Sequence, residues 1–284
     1  AQALMNFKLL TPGAVEGPVI RVGGNSADNS CWISQADNNQ SCVHDRATVP
    51  CCAYNISETD LESYAAFAGL DSPGSIFATL NASFALTMNL GYGPDPARAA
   101  AEVVAIARHP VRRAVSSLEI GNEPVAFGKR SGGHRPWPYS FRDYDDDVTK
   151  YIEAFAAAAP EYADSRFLQS LAFAHPYDWS TDPSLTVPEF LKQHASVLYS
   201  LCVHSYALTS RNRTAGQVSA ESLLSPACSK GHASTYEALA ADARAAGVPL
   251  VIGEGNSVSQ GGTANISDVY TSALWALDGG ATRA

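Results

Sequence analysis

Short apolar runs recur along this chain at intervals of roughly 30 to 50 residues, with Ala-rich stretches of helical spacing between them. No other feature constrains the fold as much. The strand candidates are 18–23 (PVIRVG), 83–90 (SFALTMNL), 117–121 (SLEIG), 166–174 (RFLQSLAFA), 198–206 (LYSLCVHSY) and 249–253 (PLVIG). Most are continuous apolar runs, the pattern of strands covered on both faces. Helices are predicted over 96–108, 147–159, 188–200, 234–246 and 267–278, with Pro96 in a first turn where proline is tolerated. Ser234 and Ser267 read as N-caps and Gly247 as the glycine that ends a helix. Strand–helix alternation at this pitch means parallel βαβ units, in an α/β barrel or an open doubly wound sheet. No GxGxxG or GxxxxGK[ST] loop supports a nucleotide-binding sheet, so a (β/α)8 barrel is expected. The whole of 1–284 then reads as a single barrel domain.

Two segments interrupt the rhythm. Residues 25–55 are polar and Cys-rich, too long for a simple connection, and read as a disulfide-stapled insertion. Residues 128–147 (GKRSGGHRPWPYSFRDYDDD) read as a long loop. Each follows the C-terminal end of a strand, which in a barrel is the active-site face.

Composition narrows the environment. A net charge of −9 argues against a duplex nucleic-acid partner, and no apolar run approaches a membrane span. Six Cys (31, 42, 51, 52, 202, 228) stand beside four N-x-[ST] sequons at Asn55, Asn81, Asn212 and Asn265, which together favour a secreted, oxidised glycoprotein. Cys202 and Cys228 pair most simply with each other, leaving two bridges among the early four in an order the sequence leaves open. The chain starts with Ala and without a basic-then-apolar leader, as after removal or omission of a signal peptide. With no CxxC pair or HExxH helix, no metal or organic cofactor is expected.

Two strand ends carry the chemistry. The run Ser117-Leu-Glu-Ile-Gly-Asn-Glu-Pro124 ends on Asn122 and Glu123, and Val251-Ile-Gly-Glu-Gly-Asn256 carries Glu254. In a barrel both glutamates would stand on one rim and could face each other across its mouth. Opposed carboxylates, one protonated and one ionised, are what glycoside hydrolysis requires. Each glutamate taken alone reads as an ordinary strand-end acid.

Leu118-Glu-Ile-Gly-Asn-Glu-Pro124 resembles the acid/base strand of clan A retaining glycoside hydrolases. Ile20-Arg-Val-Gly-Gly-Asn25, Val203-His-Ser-Tyr206, Val251–Ser257 with Gly261-Gly262, and Ser272–Asp278 make nearly the whole chain similar to glycoside hydrolase family 79, the β-glucuronidases that include heparanase. That resemblance implies Glu123 as general acid/base and Glu254 as nucleophile. It implies Asn122 on the sugar 2-hydroxyl, Tyr206 donating to Glu254, Arg21 favouring the ionised nucleophile, and Asn25 on a sugar hydroxyl. The Gly261-Gly262 amides would bind the substrate's C6 carboxylate, a turn being the alternative, and His204 would line the site or fill it. Lys129, Arg130, His134 and Arg135 either contact an anionic aglycone or form a solvated loop. The implied partner is a glucuronic-acid-containing polysaccharide or proteoglycan. By the same resemblance the first and eighth barrel strands and a companion β-sandwich have no counterpart here, so the barrel is expected to be incomplete with unpaired strand edges.

Overall fold

Each of the six apolar runs is a strand in the computed structural model, which describes residues 17–33, 52–71, 78, 81–91, 95–128, 135–162, 165–210 and 218–283. The strands, in chain order, are β1 (Val19–Val22), the short β2 (Ser30–Trp32) and β3 (Tyr54–Ile56), then β4 (Ser83–Met88), β5 (Val115–Ile120), β6 (Leu168–Phe173), β7 (Leu198–Thr209) and β8 (Leu250–Ser259). β2 and β3 pair with each other in parallel. The other six form one parallel sheet in the order β1-β4-β5-β6-β7-β8. Arg21 on β1 and Glu254 on β8 lie on the two edge strands, yet their side chains meet at 3.0 Å. The sheet therefore curls almost closed, and with helices between its strands it is an incomplete (β/α)8 barrel.

Eight α-helices follow the strands: α1 (Glu58–Phe67), α2 (Pro96–Arg108), α3 (Phe141–Ala158), α4 (Val187–His194), α5 (Ala220–Leu223), α6 (Pro226–Ser234), α7 (Glu237–Ala245) and α8 (Tyr270–Arg283) among the described residues. Strand alternation divides the core in two. Phe84, Leu86, Leu118 and Ile120 are buried with Val103, Ile106, Tyr151 and Phe155 from α2 and α3 in one apolar cluster. Each such burial contributes about 1.5–3 kcal/mol. The alternate residues Thr87, Glu119, Gln169 and Ser200 turn into the lumen and are joined there by hydrogen bonds. The strands are apolar on the helix side and largely polar inside, where continuous apolar runs had suggested two apolar faces.

Several expected boundaries move. Helix α3 begins at Phe141, not 147, because Ser140 and Asp143 form a capping box, so the expected 128–147 loop ends in helix. The expected 188–200 helix stops at His194, where the chain turns into β7. The expected 234–246 helix is two: Ser234 is the last residue of α6, Tyr236 caps α7, and Gly247 at φ +67° ends α7 as expected. Ser267 does not cap α8; its hydroxyl accepts from the Thr263 amide at 2.6 Å and donates to the Thr263 carbonyl. Helix α1 lacks an apolar stripe obvious in sequence; Asp60 at its start accepts from the Ser57 amide and hydroxyl at 2.8 and 3.0 Å.

Cys31 and Cys52 are bridged, tying β2 to the segment before β3. The expected Cys202–Cys228 bridge is not formed. Cys202 is fully buried on β7, its sulfur against Gly253 of β8, whereas Cys228 sits on α6. Cys42, Cys51, Asn212, Lys129, Arg130 and His134 lie outside the described residues.

Candidate active site

The site is assembled by Arg21. From β1 its guanidinium reaches across the lumen and donates to Glu119 at 2.8 Å, to Glu254 at 3.0 Å and to the Asn122 side-chain oxygen at 2.9 Å. Room for it is made by glycines. A Cβ on Gly23 would stand 3.0 Å from the guanidinium carbon, and one on Gly253 3.2 Å from Arg21 Cδ and in collision with Cys202 Sγ.

Glu119 is fully buried four residues before Glu123. Besides Arg21, Thr87 donates to it at 2.7 Å and Gln169 at 2.6 Å, and Ser200 in turn donates to Gln169 at 2.9 Å. Burial alone would raise the carboxyl's titration, but the Arg21 charge and these hydrogen bonds outweigh it and hold Glu119 below the ordinary range. Burial likewise opposes the Arg21 charge, and the Glu119 carboxylate more than offsets that, so the guanidinium titrates above its usual range.

Past β5 the backbone turns sharply. Glu123 is a non-glycine residue at φ +48°, and Leu171 and Ala172 in β6 also have positive φ, at 75° and 41°. Positive φ at three non-glycine residues stores strain of order 1–3 kcal/mol each. The two β6 residues coincide with a register shift against β7, and the Ala172 carbonyl accepts the Glu123 amide at 3.0 Å. The strained backbone thus fixes where the Glu123 side chain leaves the strand. Asn122 is locked as well: its amide donates to buried Asp28, nearest at 3.1 Å, and its side chain donates to Asn25 at 3.0 Å. Burial pushes the Asp28 carboxyl well above the ordinary range, opposed by backbone amides such as those of Leu90 and Asn122.

On β7, His204 and Tyr206 point to the same side as Cys202, two residues apart each time. In the ladder His204 faces Glu254. His204 Nδ1 lies 2.9 Å from Glu123 Oε1, and its Nε2 is buried without a hydrogen-bond partner among the described residues. The Tyr206 hydroxyl donates to Glu254 Oε1 at 2.5 Å. Burial, then the adjacent Glu254 carboxylate, pushes that hydroxyl above its usual range.

One carboxylate oxygen each from Glu123 and Glu254 and a nitrogen of His204 lie within 4.8 Å of one another. The two carboxyl groups have unequal surroundings. Glu254 faces a guanidinium and a phenol, while Glu123 faces an imidazole. A cluster of this spacing would also admit a cation, with those three side chains as its ligands.

Of the residues singled out from sequence, Arg21, Asn25, Asn122, Tyr206 and Glu254 are joined by hydrogen bonds, and the bonded couple Glu123–His204 stands within 4.8 Å of Glu254. Gly261 and Gly262 are not among these contacts. They turn the chain after β8, both at positive φ, and Ser259 at the end of that strand is already about 17 Å along it from Glu254. Arg135 is neither solvated nor free for a ligand: it is ion-paired with Asp147 and lies 5.2 Å from the Tyr139 ring centroid. Glu119, Thr87, Gln169 and Asp28 were not singled out from sequence. A charge in the middle of the apolar run SLEIG was the available signal, since a buried charge needs a partner.

Fold and site together place the chain among incomplete (β/α)8 barrels with a carboxylate pair at the strand-end rim. No protein-family model and no curated protein sequence matches the chain. Among solved structures it is similar to a 4-O-α-L-rhamnosyl-β-D-glucuronidase from Fusarium oxysporum 12S, solved as a Rha-GlcA complex, with a TM-score of 0.71 and 18% identity. The match covers 98% of this chain and 54% of that one, so the chain spans about half the length of that enzyme. At this identity the likeness is one of fold.

Proposed function

We propose that this chain is the catalytic barrel of a retaining glycoside hydrolase that cleaves β-linked glucuronic acid from glycans. The observation that carries the reading is the approach of Glu123 and Glu254 oxygens to within 4.8 Å. That separation suits double displacement, for which the carboxyl groups stand about 5–5.5 Å apart, and is too short for a water between them as inversion needs. Glu254, held by Arg21 and Tyr206, attacks C1 while Glu123 gives its proton to the leaving oxygen. A covalent glycosyl-enzyme results, and Glu123, now a carboxylate, takes a proton from the water that hydrolyses it. In this reading Asn122 meets the sugar 2-hydroxyl and Asn25 another sugar hydroxyl. The glucuronidase of similar fold supports the substrate class, as does the sequence resemblance. The Cys31–Cys52 bridge and the sequons support a secreted protein. A companion β-sandwich belongs to the same reading.

One observation favours a second reading, a β-glycosidase of neutral sugars such as a β-glucosidase or endoglucanase. The Arg21 guanidinium is committed to Glu119, Glu254 and Asn122. Turnover of 4-nitrophenyl β-glucuronide against the β-glucoside separates the two. Glu254→Ala abolishes turnover, and Glu123→Ala retains it on activated leaving groups and responds to azide. Full activity in purified Glu254→Ala removes the mechanism, and binding of glucuronide oligosaccharides without turnover by the unaltered chain makes it a glycan-binding protein instead.

A further inference from the structure

Arg21 is the guanidinium in contact with Glu254, and it is shared. Its guanidinium lies 2.6 Å from Glu119 at the nearest approach and 3.0 Å from Glu254. The Glu119 side chain is fully buried and the Glu254 side chain is 33% exposed. Attraction falls with distance and with solvent screening, so Glu119 takes the larger part of the guanidinium's charge. Glu119 is itself immobile: Thr87 from β4 and Gln169 from β6 hold its two oxygens, and Ser200 from β7 holds Gln169. Anchors from three strands, backed by Ser200 from a fourth, thus converge on an acid that has no described contact with Glu123.

We propose that Glu119 is a positioning residue for the reaction: by fixing the Arg21 guanidinium that it shares with Glu254, it sets where Glu254 stands. The inference rests on the glycosidase reading above. The groups that bear on Glu119 are Arg21 from β1, Asp28 from the turn after β1, Tyr144 from α3, Cys202 from β7 and, through Arg21, Glu254 from β8. Burial raises the Cys202 thiol, the Tyr144 phenol and the Asp28 carboxyl alike, which disfavours an anion on each. Replacing Glu119 by an isosteric neutral residue removes the buried charge that fixes the guanidinium, so Arg21, and Glu254 with it, is held less firmly. Gln169 can accommodate the change by turning its amide, since the Ser200 hydroxyl both donates and accepts.

The test uses two variants and the unaltered chain, with kcat and KM for 4-nitrophenyl β-glucuronide measured from pH 3 to 8 and folding checked by circular dichroism. In Glu119→Gln the charge that fixes the guanidinium is gone, and kcat falls about tenfold at unchanged KM. In Glu119→Asp the charge stays but its reach shortens, and kcat drops by a similar factor, again at unchanged KM. A folded Glu119→Gln with an unaltered kcat overturns the inference. Should Glu119→Gln not fold, Glu119→Asp decides, and a kcat equal to that of the unaltered chain overturns it. If the unaltered chain turns over nothing, or Glu254→Ala is active, the glycosidase reading fails and the inference falls with it.

Discussion

The Tyr206 hydroxyl offers the most direct test of how Glu254 is held. Tyr206→Phe removes one oxygen and the 2.5 Å hydrogen bond to Glu254 Oε1 while keeping the ring. A hydrogen bond to a charged group is worth about 1.5–3 kcal/mol, and a partly exposed pair belongs at the low end of that range. With Glu254 one third exposed, the loss comes to about 1.5 kcal/mol, or a little over tenfold. Without the bond the carboxylate proposed to attack C1 is held less firmly, and kcat/KM falls about tenfold. Stopped assays with 4-nitrophenyl β-glucuronide measure it. A folded Tyr206→Phe variant with an unchanged kcat/KM refutes the claim that the phenol holds Glu254 in place.

Two further outcomes follow from the packing. Gly253→Ala forces a Cβ onto Cys202 Sγ and to 3.2 Å from Arg21 Cδ; it should cost about 1–3 kcal/mol in chemical denaturation and lower kcat by displacing Arg21. Glu102 on α2 is fully buried, and burial, with Asp60 adding, pushes its carboxyl up to about 8. The unfolded chain gives up this proton near the ordinary value of 4.5 while the folded chain keeps it to about 8, so this group lowers stability as pH rises between those values. Glu102→Gln should remove that slope and raise Tm at pH 8 relative to the unaltered chain, as thermal unfolding at pH 5 and pH 8 would show.

The barrel and the carboxylate pair were both legible because each depends on short-range pattern. An apolar run ending in Asn-Glu-Pro or Gly-Glu-Gly declares a strand end and its acid without reference to the rest of the chain. What escaped was the long-range part. Arg21 and Glu119 each sat visibly inside an apolar run, yet the residues that neutralise one another are 98 positions apart. Their pairing depends on the curl of the sheet. The early start of α3 was hidden for a different reason: Phe141-Arg-Asp-Tyr144 breaks the apolar rhythm, and the signal that fixes the boundary is the Ser140–Asp143 box. Gly261 and Gly262 fit a turn and an anion cradle equally well in sequence. The length of β8 past Glu254 is invisible until β7 and β8 are seen to run on together.

A lumen laced with arginine, glutamate, glutamine and serine gives up cohesion that aliphatic side chains would supply. Laboratory selection for heat resistance alone would favour greasy replacements at positions 87, 119 and 169, since well-packed hydrocarbon often outperforms a buried ion pair in stability. If the proposed glycosidase reading holds, such variants would endure higher temperatures and lose turnover in the same step, because the groups that weaken the barrel's interior would be those that aim its acids.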